Sequence, residues 1–150
     1  YYVLTGFGIN MADARALGIV AAVVDPAGVN QAIQDLIAAG KPDKYRSRTL
    51  PDKFLPIASM FSSENVTRLL SGKQPENAPP DLAAKVVKTL GFKAPIALRI
   101  SNEIIDMQIG KSMPEAVEIE LERLAEIFST ADALEGLGTA GRKRPEFKGA

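Results

Sequence analysis

Phe128-Ser129-Thr130-Ala131-Asp132-Ala133-Leu134-Glu135-Gly136, followed by Arg142-Lys143-Arg144-Pro145-Glu146-Phe147-Lys148-Gly149, closes the 150-residue chain. The spacing ends one helix near Phe128, starts a short acidic helical turn, and finishes on a basic tail. Just upstream, Val117, Leu121, Leu124, Ala125 and Phe128 recur at helical intervals. Ser112-Met113-Pro114-Glu115 fits a capping box with Ser112 as N-cap. These features set the fold class as mostly α, and the rest of the chain is read outward from them.

The same signals recur toward the N-terminus. Pro95 opens a helix running to about Ile109, with Leu98, Ile104, Ile105 and Ile109 on it. Pro79-Pro80-Asp81 opens another, with Leu82, Val86, Val87 and Leu90 forming a stripe that stops at Gly91. Ser62 or Ser63 caps a short helix through Leu70, and Pro51 to Phe61 reads as helical with a kink or division at Pro56. Val29 to Ala39 places Val29, Ile33, Leu36 and Ile37 on one face, and Gly40 ends it. Lys41 to Leu50 is a polar, basic connector and a candidate hinge. Ile19 to Val24, apolar and β-branched, is the single strand candidate, stopped by Asp25-Pro26. Asn10 and Gly18 bracket a short helix, and Tyr1 to Leu4 reads as a last helical turn leaving through Gly6. The expected fold is a cluster of six to eight helices with one short strand.

Composition narrows the chemistry. Eighteen Lys and Arg balance eighteen Asp and Glu, which argues against bulk cationic attraction to nucleic acid or an anionic membrane. No apolar run has transmembrane length, and no basic segment precedes an apolar one as in a signal peptide. Cytoplasm is therefore the default location. The chain has no cysteine and no histidine, so it lacks a thiol nucleophile, the commonest metal ligand and the usual neutral-pH general base. The opening Tyr1-Tyr2-Val3-Leu4 has no initiator Met and starts inside an element, so the chain is expected to be a fragment of a longer protein.

Two runs carry a resemblance. Leu4-Thr5-Gly6, then Ile9, Ala12, Ala14 and Leu17-Gly18-Ile19-Val20 up to Val24, resembles the enoyl-CoA hydratase/isomerase (crotonase) superfamily. Asp132, Glu135-Gly136, Lys143-Arg144-Pro145 and Phe147 resemble that family's closing signature, in the right order. Phe61-Ser62-Ser63-Glu64-Asn65-Val66, Lys93-Ala94-Pro95 and Met113-Pro114-Glu115 before Glu120 to Leu124 look like its 3-hydroxyisobutyryl-CoA hydrolase branch. A similar part occurs behind a 3-hydroxyacyl-CoA dehydrogenase in fusion proteins.

The resemblance implies the C-terminal helical region of a crotonase fold. Residues 1–40 would end the crotonase core and 41–150 would form the helical region. It implies a parent acting on an acyl-CoA, as an enoyl-CoA hydratase adding water to a 2-enoyl-CoA, or alternatively as a 3-hydroxyacyl-CoA thioester hydrolase. NAD would enter only with a fused dehydrogenase. The family's oxyanion amides and catalytic carboxylates lie in the half that precedes Leu4, so no catalytic residue and no metal ligand carries over. The apolar helical stripes are read as core in the first instance, but a fragment would expose some of them, so a homo-oligomer is expected, with Val20, Val23 and Val24 at risk of exposure. The non-enzymatic alternative is an autonomous helical interaction or oligomerisation domain.

Lys143, Arg144 and Lys148 are the candidate cofactor-binding residues, because ammonium and guanidinium groups bond phosphate oxygens well. Lys143 matches the family lysine near the adenine of CoA. The family aromatic falls on Ala140, and Gly138 and Gly141 each weaken the helix there by up to about 1 kcal/mol. The bland alternative is a solvated tail. Asp132 and Glu135 look like an acid pair but read as helix capping, with Ser129 as N-cap and Asp132 at N3. Glu103 with Asp106 is too small a set for a cation site. Glu118, Glu122 and Glu126 form a like-charged face that a basic partner could offset; a solvated face is the simpler reading.

Overall fold

In the computed structural model the described residues are 1–40 and 49–150. They form nine α-helices: α1 Tyr2–Thr5, α2 Met11–Ala16, α3 Val29–Ala39, α4 Leu55–Met60, α5 Ser63–Leu70, α6 Pro80–Leu90, α7 Pro95–Gln108, α8 Met113–Phe128 and α9 Ala131–Thr139. Two 3-10 turns, Pro26–Gly28 and Asp52–Phe54, precede α3 and α4. The connector read at Lys41 to Leu50 lies, apart from its last two residues, outside the described part.

Local chemistry explains most boundaries. Asn10 caps α2, its side chain accepting the Asp13 N–H at 2.9 Å. Gly6 ends α1 at φ 70, ψ 19, the left-handed exit a Cβ would disfavour. Pro56 sits in the first turn of α4, where its missing N–H has no helical partner to lose, so it starts that helix rather than kinking it. The Ser112–Glu115 capping box forms at α8: the Glu115 carboxylate accepts the Ser112 N–H at 2.8 Å and the Ser112 hydroxyl at 2.6 Å.

Two compact units result: Tyr1–Gly6 with Ser59–Ala150, and Phe7–Ala58. In the larger unit α7 packs along α8, α5 touches α6 and α7, and α1 sits on α6 and α7. Its core holds Leu4, Met60, Leu69, Val86, Leu98 and Ile100, all nearly or fully buried. Tyr1 adds an edge-to-face contact with Phe61 at 5.4 Å. In the smaller unit the Ile19–Val24 run passes between α2 and α3 and lines an apolar groove of about 590 Å³ with Ile9, Met11, Ile33 and Leu36.

Three expectations are corrected. Ile19–Val24 forms no strand, and there is none among the described residues. A strand needs a neighbour for its backbone groups, and instead Ile19 and Val20 donate their N–H groups to the Ala14 carbonyl. The stripes of α3 and α8 are not core: Val29, Ile33, Leu36, Ile37, Val117, Leu121, Leu124 and Phe128 are all exposed. Helical periodicity reports which side chains share a face, not whether a neighbour covers it. Of the three valines expected to be at risk, Val23 and Val24 are exposed, whereas Val20 is half-buried. The third correction concerns α9 and is taken up below. No helix among the described residues is long and apolar enough to cross a membrane.

Candidate functional site

The C-terminal run folds back on α9. Ser129 completes α8, its N–H donating to the Ala125 carbonyl at 3.1 Å. Thr130 is extended at φ −77, ψ 150, and its Oγ1 accepts the Ala133 N–H at 3.0 Å. Thr130, not Ser129, is therefore the N-cap, because only an extended residue aims its side chain at the first free amides. Asp132 moves from N3 to N2 and is released from capping.

Asp132 is 2 % exposed. Its two carboxylate oxygens accept the N–H groups of Lys148 and Gly149 at 2.7 and 2.8 Å, and its own N–H donates to the Ala150 carbonyl at 3.1 Å. One turn on, Glu135 Oε1 accepts the Glu146 N–H at 3.2 Å. The acid pair is structural, as expected, but it holds the tail instead of capping the helix. Phe147 packs against Gly136, where a Cβ would lie 3.4 Å from its ring, at van der Waals contact. Phe147 lines a cavity of about 200 Å³ with Leu69, Leu90 and Leu98.

The near end of the tail is also fixed. Helix α9 stops at Thr139, whose carbonyl accepts the Arg142 and Lys143 N–H groups at 2.9 and 3.1 Å. Gly141, at φ 70, makes that tight return. Arg142, Lys143 and Arg144 therefore sit on a loop closed at both ends. Lys143 approaches Glu135 at 3.7 Å with an exposed ammonium, a contact that contributes little. The Arg144 guanidinium lies 3.4 Å above the centroid of the Phe92 ring, a cation–π contact that leaves its N–H edge available. The Lys148 backbone is held by Asp132, and the residue is exposed.

The sequence had no means of placing Phe92. It follows Gly91 in a loop between α6 and α7, and only the fold brings it beneath a residue 52 positions later. Ala140, where the family aromatic was expected, is the C-cap of α9; Phe92 is the exposed ring beside the cations instead.

Glu103, Glu126 and Asp106 are engaged by neighbouring side chains. Glu103 accepts from Arg99 at 2.8 Å and from Arg123 at 2.8 Å, while Glu126 lies 2.8 Å from Arg123 and 3.5 Å from Arg99. This four-membered ring ties α7 to α8. Bonding to Arg123, then Arg99, holds the Glu103 carboxyl below the usual glutamate range. The charge on Glu126 is thus offset within the chain. Asp106 accepts from Asn102 at 3.1 Å, and no cluster able to hold a metal ion occurs among the described residues.

No family model matches the chain, and no curated protein or solved structure matches it either.

Proposed function

We propose that this chain is the C-terminal helical part of a crotonase-type acyl-CoA enzyme and binds the phosphate-bearing end of CoA. The observation that carries the reading is the closed basic loop: three successive cations on a fixed backbone, with Arg144 resting on Phe92. A phosphate needs charge and donors held at fixed spacing. Arg144 offers a planar fork, Lys143 a mobile ammonium, and Lys148 a further charge on the docked tail. The order of the two sequence runs at the chain ends supports the family assignment.

The parent activity favoured is hydration of a 2-enoyl-CoA. These residues would bind and orient, without supplying the acid or base. The buried carboxylate among the described residues, Asp132, has each oxygen engaged by a backbone N–H group, and the sequence contains neither histidine nor cysteine. Incubation with crotonyl-CoA tests this: no loss of the enoyl thioester chromophore and no thiol release are expected. Turnover in either assay contradicts the division of labour, and thiol release in particular points to the hydrolase branch.

A second reading has its own support. Val117, Leu121, Leu124 and Phe128 form an exposed stripe at four- and three-residue intervals along α8, the pattern of a helix that packs on another. The chain would then self-associate. Sedimentation across a concentration series separates a reversible oligomer from a clean monomer.

A further inference from the structure

Resting on the CoA reading, we propose that Asp132 is a positioning residue for the basic loop: it acts on the ligand through the tail, without touching the ligand. Residues 140–147 run between two anchors. The near anchor is the Thr139 carbonyl, which holds Arg142 and Lys143. The far anchor is the Asp132 carboxylate, which holds Lys148 and Gly149, with Glu135 holding Glu146 beside it.

The far anchor is strong for a physical reason. A carboxylate that is 2 % exposed is costly unless its oxygens are hydrogen-bonded. Here two tail amides supply those bonds, and bonds to an ionised acceptor are stronger than neutral ones. Lifting the tail would break both bonds at once and leave water to replace them. The two bonds and the docked tail therefore stand or fall together.

Closing the loop fixes the cations. Pro145 has a locked φ and sits between Arg144 and the docked Glu146, so little freedom remains at Arg144. Phe147, seated against Gly136, sets the depth of the strap. With the far anchor gone, the two bonds to Thr139 and the stacking of Arg144 on Phe92 are left to restrain the loop. The ordering of Arg144 and Lys143 would then have to be supplied at the moment of binding. Asp132 thus contributes to affinity for a phosphate-bearing ligand from a buried position behind the loop.

Two variants test this by different routes. Asp132→Asn keeps the shape but replaces one acceptor with a donor facing an N–H. Gly136→Val leaves the carboxylate intact and drives methyl groups into Phe147. Amide exchange at 146–149, the Arg144 Nε–H resonance and CoA affinity are measured on the full chain for each. Both variants should speed exchange at Lys148 and Gly149, shift the Arg144 signal, and weaken CoA binding about tenfold, while α7 and α8 keep their protection. Fast exchange with unchanged CoA affinity, or an unmoved Arg144 signal, overturns the proposal. If the unaltered chain does not bind CoA at all, the CoA reading falls; the exchange and Arg144 measurements, made without ligand, still decide the positioning.

Discussion

Asp132 and Lys148, 16 residues apart in sequence, meet at 2.7 Å, carboxylate to backbone amide. The contact converts a basic C-terminal run into a strap with a defined path over α9. It places Asp132 among structural groups and leaves the cations of the loop as the residues free to meet a ligand.

Replacing Asp132 with Ala removes the acceptor of two part-buried amide hydrogen bonds. Bonds of that kind contribute about 1.5–3 kcal/mol each and are not additive, so a loss of about 2–3 kcal/mol is expected. Thermal melting followed by circular dichroism should show a midpoint lower by several degrees. A midpoint within one degree of the parent would mean the strap is not held by this group.

Asn65 is the second buried polar clasp. Its Nδ2 donates to the Ser59 and Glu76 carbonyls at 2.9 and 3.2 Å, and its Oδ1 accepts the Glu76 N–H at 2.8 Å. This side chain closes the loop after α5 together with Arg68, whose Nε donates to the Gln74 carbonyl at 3.0 Å. Asn65→Ala should cost about 2 kcal/mol, because three backbone groups lose a partner at an 8 % exposed site. Urea unfolding should show a lower midpoint with an unchanged slope.

The stripe on α8 gives a test with the opposite sign. Leu121 is 59 % and Leu124 is 42 % exposed. Leu121→Gln and Leu124→Gln should each leave stability within about 0.5 kcal/mol, as for other surface changes. A loss of 2 kcal/mol or more would place these side chains in a covered interface. Any self-association of the parent should weaken in both variants.

The Arg99–Glu103–Arg123–Glu126 ring makes stability depend on pH. The folded Glu103 carboxyl is held below its ordinary value by Arg123 and Arg99. Its contribution is therefore present above the unfolded value, about 4.3, and lost as the pH falls through the folded value. The melting midpoint should drop as the pH falls below about 5, and Glu103→Gln should flatten part of that drop. Identical profiles for the two proteins would show that the ring adds nothing. High salt should also reduce the effect, because the ring is partly exposed.

Much of the fold was legible because its signals are local. The Asn10 cap, the Gly6 exit, the Ser112–Glu115 box and the proline starts of α6 and α7 each lie within four residues of what they control. The strand at Ile19–Val24 was misread because β-branched composition does not provide a pairing partner. The apolar faces of α3 and α8, read as core in the first instance, are exposed because periodicity is indifferent to neighbours. At the candidate site, Lys143, Arg144 and Lys148 could be chosen by residue type. The Asp132 clamp and the Phe92 platform could not, since both depend on contacts between distant segments. The N-cap of α9 was missed by one residue: Ser129 and Thr130 are chemically equivalent caps, and only backbone conformation separates them.

CoA binding by the basic loop is tested most directly by titrating the chain with CoA and with 3′-dephospho-CoA, in parallel with Arg144→Ala. CoA should bind measurably, removal of its 3′-phosphate should weaken binding, and Arg144→Ala should weaken CoA more than it weakens the dephospho ligand. No heat of binding with CoA at millimolar concentration, or equal affinity for the two ligands in both proteins, would contradict the assignment of the loop as a phosphate site.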